Sequence, residues 1–286
     1  MKKYFSLVLF AHTIFAMPFA FIGFFLAISS TEQEFNWLKL LLMVLCMVFA
    51  RNAAMAYNRY LDKDIDAQNP RTAIRDIPSG KIKPNEALIF TIINSILFIL
   101  TTLFINKICF YLSPVALAVV LGYSYTKRFT PLCHLVLGLG LALAPIGAYL
   151  VVAGEFAMLP IYFSLAVLCW VSGFDIIYAL QDEEFDRKNN LNSIPAWLGK
   201  EKALKVSSIL HVLAVVFVAL PYFNSNLSWF YLAGVLFFAL LLIYQHSLVK
   251  PNDLSKVDRA FFTSNGIASV IFASFFLLDT YLRNQF

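Results

Sequence analysis

Charge is scarce in this 286-residue chain. Lys, Arg, Asp and Glu together make up 14% of it, where a soluble domain carries about 25%. That deficit leaves too little polar surface for an ordinary water-soluble enzyme. Alternating apolar–polar segments of about ten residues are also missing, which excludes a transmembrane β-barrel. Cysteine is confined to Cys46, Cys109, Cys133 and Cys169, each alone in or beside an apolar run. With no CxxC pair, they read as small apolar side chains rather than metal ligands or a disulfide frame. The four histidines are scattered too. His12, His211 and His246 are expected to be structural, while His134 opens an apolar segment close to Lys127 and is placed near the candidate site described below.

What the chain has in abundance is apolar length. Hydrophobic residues reach 60%, with 29 Phe, and the mean hydropathy is +0.74. Runs of about 20 apolar residues recur throughout, enough to cross a hydrocarbon core of roughly 30 Å as helices. The expected fold is an all-α polytopic membrane bundle forming one transmembrane domain over 1–286. Nine spans are read at about 5–29, 37–57, 87–106, 108–124, 132–152, 159–180, 204–222, 227–246 and 261–282, the fourth being short. The first follows Lys2-Lys3 and lacks a cleavage pattern, so it is taken as a retained span.

Charge distribution supports this count. Nine spans place all but three of the 22 Lys and Arg on one side; the exceptions are Lys39, Lys107 and Arg283. The positive-inside rule makes that side cytoplasmic, with the inner membrane as the expected location. A pI near 8.9 is thereby explained by a basic membrane face, and no nucleic acid is implied. Acidic residues follow the same side, all but Glu32, Glu34, Glu155 and Asp279 of the 17. The long loops 58–86 and 181–203 lie there as well, so chemistry is expected on that face.

Two acidic clusters stand out in those loops. One reads Asn58-x-x-x-Asp62-x-x-x-Asp66, and 120 residues later comes Tyr178-x-x-x-Asp182-x-x-x-Asp186. On a helix, positions i, i+4 and i+8 share a face, so each is expected to form a stripe of oxygens at the end of a span. Both clusters close spans of the same direction, the second and sixth, which suggests an internal duplication of a four-helix unit plus one extra helix. Carboxylates four residues apart repel, and near a membrane that repulsion calls for a compensating cation. A solvated span end is the alternative for either cluster alone; identical spacing after equivalent spans favours the cation. Carboxylate and amide oxygens without nearby His or Cys suit a hard ion such as Mg²⁺, which binds through few carboxylates plus substrate phosphates. Two such clusters could hold a diphosphate between them, with Arg71, Arg75, Lys127 and Arg128 neutralising it.

These motifs resemble those of the UbiA superfamily of intramembrane prenyltransferases. The first stands here as NRYLDKDIDAQNPRTAIRDIPSG, against an NDxxDxxxD pattern followed by RTxxRPLPSG. The second stands as DIIYALQDEEFD followed by NSIPAWLG. The likeness extends to YSYTKRFT and HLVLGLGLALAPIGAYL and covers about residues 5–283. Within the superfamily, the first loop is most similar to the branches of bacterial 4-hydroxybenzoate polyprenyltransferase and of menaquinone made through futalosine. The resemblance implies transfer of a polyprenyl group from its diphosphate to an aromatic acid, in quinone biosynthesis. Alternatives are the haem O, ether-lipid or chlorophyll branches and, from another class, an ion-coupled transporter. One position departs from the pattern: Arg59 stands where an aspartate is expected, so it is not assigned as a ligand, and Asp64, off the stripe, is expected to be solvated.

Under this reading Asp62, Asp66, Asp182 and Asp186, with Asn58, are the expected metal ligands. Tyr178 lies on the second stripe and is the first choice for facing an allylic cation, ahead of Tyr57, Tyr123 and Tyr125. Asp175 lies seven residues before Asp182 and Arg51 seven before Asn58, two turns deeper, where charge is expensive and functional by default. Asp175 is expected at the acceptor hydroxyl and Arg51 at an acceptor carboxylate. The alternative is a structural role in which Asp175 satisfies Arg51 or a backbone group.

Overall fold

The computed structural model describes Leu7 and residues 16–283; the earlier part of the first span, with His12, lies outside the described residues. Eight long apolar helices follow one another: α2 (Trp37–Leu61), α4 (Pro84–Leu103), α5 (Lys107–Thr126), α6 (Cys133–Ala153), α7 (Met158–Ala179), α10 (Lys200–Phe223), α11 (Trp229–Ser247) and α12 (Asn265–Arg283). They are preceded by a shorter apolar helix, α1 (Met17–Thr31). Short helices α3 (Lys63–Gln68), α8 (Glu183–Lys188) and α9 (Ile194–Leu198) occupy the two long loops. No strand occurs among the described residues, and the eight long helices each meet the length and hydropathy needed to cross a bilayer. The fourth span, expected to be short, is a full 20 residues. Pro114 and Pro145 lie inside continuous helices, so the helix break expected of a transporter midplane is not at either proline.

Helix starts follow local chemistry. Asn36 caps α2 by accepting from the Leu38 and Lys39 N–H groups at 2.8 and 3.1 Å. Asn106 caps α5 through the Cys109 N–H at 2.9 Å and ties that end to α6 by donating to the Leu150 carbonyl at 2.8 Å. Such caps satisfy donors that the first turn leaves open. Buried Asp279 in α12 accepts from the Ser228 N–H at 3.0 Å and from the Ser228 hydroxyl, anchoring the start of α11.

Packing is uneven across the bundle. In a bilayer, helix association depends on close van der Waals fit rather than on hydrophobic expulsion. Around α7 that fit is tight: Trp170, Phe19, Phe238 and Phe272 interlock with centroids 5.4–6.4 Å apart. Gly23 of α1 meets the Pro145 backbone of α6 so closely that an added Cβ would sit 2.0 Å from its carbonyl oxygen. Helices α2 and α5 are far less filled, each with 17% of its apolar window buried against 67% for α7. The space they leave, against α4 and α6, is a cavity of about 420 Å³.

Candidate active site

Both acidic stripes lie where a span ends, and both spans break at the first aspartate. Helix α2 stops at Leu61, Asp62 takes φ −91° and ψ 4°, and α3 begins at Lys63. Helix α7 gives way to a tight turn over Leu180–Asp182, Asp182 takes φ −101° and ψ 2°, and α8 begins at Glu183. The continuous stripe expected from the spacing is therefore replaced by a kinked one. Helices α3 and α8 are displaced by the same 120 residues as the aspartates, which extends the duplication from spacing to backbone. The kink lets each carboxylate turn toward side chains from other elements instead of facing its neighbour along one helix.

Those partners are mainly basic. Asp62, 2% exposed, accepts from Lys127 Nζ at 2.6 Å and from Arg128 Nη2 at 3.1 Å, both at the end of α5. Asn58 donates its amide to the same carboxylate at 3.1 Å and to Ser124 Oγ at 3.4 Å. That fixes the amide nitrogen against protein. Asp66 Oδ1 accepts from Arg75 Nη1 at 2.6 Å, while Arg59 lies 4.0 Å from Oδ2. Arg59 thus serves as a counter-charge to Asp66.

The loop after α3 joins the two clusters. Arg71 grips Asp182 with two prongs, Nε to Oδ1 at 2.9 Å and Nη2 to Oδ2, and Asn69 donates to Oδ1 at 2.9 Å. Burial works against the Arg71 charge, but the hydrogen bonds and charge of Asp182, helped by Tyr178, hold its pKa above the usual arginine value. Arg71 also donates to the Tyr178 hydroxyl at 3.0 Å and lies 5.1 Å from its ring centroid. Phe261 packs against that ring with centroids 4.2 Å apart. It comes from a wide helical turn, Arg259–Ser264, that precedes α12. Asp186 accepts from Ser193 Oγ at 2.8 Å, and Asp64 is exposed at 81% of its side chain.

The deeper residues separate. Asp175 Oδ2 lies 2.7 Å from His134 Nδ1, so the partner that the structure shows for it is His134. Arg51 lines the large cavity together with Tyr123, otherwise among apolar side chains such as Met43, Met47, Leu112 and Val120. Tyr123 is the chain neighbour of Ser124, which accepts from Asn58, so the cavity's polar end, Arg51 and Tyr123, lies beside the first acidic cluster. His211 and His246 hydrogen-bond to each other at 2.8 Å between α10 and α11.

Among the described residues, no three His, Cys, Asp or Glu side chains converge as a metal cluster. The donor set nevertheless fits a hard divalent ion: its oxygens are anionic, no soft ligand intrudes, and Asp66 Oδ2 is buried without a hydrogen-bond partner. Sequence reasoning did not find Asn69, Ser193 or Phe261. The NSIPAWLG segment after Asp186 was a signal for Ser193; Phe261 had none, since one Phe among 29 carries no information.

Comparison with known proteins identifies the family of the chain. The profile of the UbiA prenyltransferase family matches residues 16–267. A 4-hydroxybenzoate octaprenyltransferase from Vesicomyosocius okutanii is 31% identical over 248 residues, covering 86% of this chain and 90% of that one. One from Aliivibrio fischeri is 31% identical, covering 83% and 82%. Among solved structures, a UbiA homolog from Aeropyrum pernix K1 in its apo form superposes with a TM-score of 0.84 at 33% identity, covering 94% of this chain and 98% of that one. A UbiA homolog from Archaeoglobus fulgidus, bound to DMAPP and Mg²⁺, shares the fold with a TM-score of 0.74 at 22% identity, covering 98% and 99%. The paired acidic kinks, the basic clamp and the apolar cavity accordingly belong to a multi-pass membrane prenyltransferase, and the chain is a member of the UbiA prenyltransferase family.

Proposed function

We propose that this enzyme transfers a polyprenyl group from polyprenyl diphosphate to an aromatic acid, 4-hydroxybenzoate or a dihydroxynaphthoate, in quinone biosynthesis. The observation that carries the reading is one arrangement: duplicated aspartates and four basic side chains gather beside the polar end of an apolar cavity. That arrangement suits a substrate with a doubly phosphorylated head and a hydrocarbon tail. The relatives named 4-hydroxybenzoate octaprenyltransferase support the acceptor class. The concentration of charge on one side supports a catalytic face toward the cytoplasm, in the inner membrane.

Asp62, Asp66, Asp182 and Asp186, with the Asn58 amide oxygen, would hold Mg²⁺. When bound, Mg²⁺ supplies charge that stabilises the diphosphate as a leaving group. The basic side chains now on the carboxylates, Lys127, Arg128, Arg71 and Arg75, are long enough to turn to phosphate oxygens as the carboxylates take the metal. Arg71 has the fork geometry that binds phosphate with two prongs. Departure of diphosphate leaves an allylic cation, and Tyr178 presents a ring toward it if Arg71 withdraws from that ring. Arg51 holds the acceptor carboxylate at the cavity's polar end. Asp175 accepts a hydrogen bond from the acceptor hydroxyl, raising the electron density of the ring, which attacks the cation carbon and then passes its ring proton to a phosphate oxygen of the departed diphosphate.

The test supplies membranes containing the enzyme with polyprenyl diphosphate and a panel of aromatic acids, and identifies products by mass spectrometry. Product that requires Mg²⁺ and is lost on chelation is the expected result. Full activity without divalent metal, or a best acceptor lacking a carboxylate, overturns the metal role or the Arg51 role respectively.

A further inference from the structure

Three consecutive residues at the entry to α9, Asn192, Ser193 and Ile194, reach three different parts of the site. The Asn192 N–H donates to the Lys127 carbonyl at 2.7 Å. The Ser193 hydroxyl donates to Asp186 Oδ2 at 2.8 Å and accepts from the Ala196 N–H at 3.2 Å. The Ile194 N–H points at His134 Nε2 at 3.3 Å, and His134 Nδ1 meets Asp175 Oδ2 at 2.7 Å. A backbone N–H can only donate, so Nε2 offers its lone pair and the ring proton sits on Nδ1, directed at Asp175. Ser193 and His134 are both buried, 4% and 3% exposed, so neither bond competes with bulk water.

We infer that Asn192-Ser193-Ile194 is a positioning strap, with Ser193 orienting Asp186 for the metal–diphosphate head and His134 orienting Asp175 for the acceptor. The inference rests on the function proposed above and goes beyond it by assigning residues that touch neither substrate. Because Ser193 donates to Oδ2 of Asp186, it fixes the rotation of that carboxylate. Because Ile194 fixes the His134 ring, Asp175 is aimed by an element more than ten residues away from it in sequence. One short segment therefore sets both halves of the reaction, through separable bonds.

Separability is what the experiment reads. Purified protein in lipid nanodiscs is titrated with magnesium pyrophosphate by calorimetry, and acceptor KM and kcat are measured in parallel. Ser193→Ala is expected to weaken magnesium pyrophosphate binding about tenfold, as removal of a bond that orients a metal ligand does, with acceptor KM unchanged. Ser193→Thr keeps the hydroxyl and is expected to restore binding. His134→Phe is expected to leave pyrophosphate binding intact and to alter acceptor KM or kcat about tenfold; His134→Gln, which can donate and accept at once, restores it. Variants that all match wild type, or that impair both readouts by the same factor, overturn the strap while wild-type binding stands. A wild-type protein that binds no magnesium pyrophosphate overturns the proposed function, and the strap with it.

Discussion

The two acidic clusters share a backbone but not a setting. Asp62 and Asp66 are buried at 2% and 3%, and four cations surround them: Lys127, Arg128, Arg75 and, more distantly, Arg59. Asp182 and Asp186 are half-buried; one arginine grips the first and a serine hydroxyl holds the second. Duplication thus preserved the kink and the carboxylates while their counter-charges diverged. The first cluster is the more deeply desolvated, so removing one partner of its ion pairs is expected to cost the fold more. The second is the more open and depends on a loop from the first half, Arg71, to be neutralised.

The comparison breaks most visibly in activity. Asp62→Ala and Asp182→Ala are each expected to lower prenyl transfer by about a thousandfold, the loss typical when a preorganised electrostatic group is removed. Thermal unfolding separates them: Asp62→Ala leaves Lys127 and Arg128 without their carboxylate and is expected to be destabilised by about 1–3 kcal/mol, less than a fully buried pair because both cations are partly exposed. Asp182→Ala, which releases only Arg71, is expected to lose less. Equal melting shifts for the two would show that burial does not distinguish the clusters.

Arg71→Lys sharpens the link between them. A lysine cannot reproduce the two-pronged grip, so KM for polyprenyl diphosphate is expected to rise about tenfold, by steady-state kinetics. Arg59→Asp should make the first cluster more dependent on metal: stability without divalent ions is expected to fall by about 1–2 kcal/mol and to recover on adding Mg²⁺, read by melting in each condition. The smallest effects fall on the exposed partners at matching positions. Asp64→Ala and Glu184→Ala, both at exposed sites, are expected to stay within about 0.5 kcal/mol of wild type and within twofold in activity.

Much of the site could be read early because its signal is local. Asp62, Asp66, Asp182 and Asp186 are spaced by helical geometry, and a repeat at 120 residues needs no tertiary information. The kinks at Asp62 and Asp182 were invisible, since nothing in NRYLDKDID or YALQDEEFD breaks a helix by propensity; the break comes with carboxylates turning to bases from other parts of the chain, the end of α5 for Asp62 and the loop after α3 for Asp182. Asp175 stands out as a costly charge deep in a span, but its partner, His134, lies 41 residues away. Arg51 and Tyr123 were each conspicuous alone, and only folding set both on the wall of one cavity.

The sequence by itself determined the membrane bundle, because spans of about 20 apolar residues must satisfy their backbone bonds internally as helices. It also determined which carboxylates repeat at the ends of equivalent spans, through spacing that needs no tertiary information. The tertiary structure alone decided which cation neutralises which carboxylate, where the cavity opens among α2, α4, α5 and α6, and how residues 192–194 reach Lys127, Asp186 and His134. Those are pairings between distant segments, set by helix packing and by the need of each buried charge for a partner, and no local pattern encodes them.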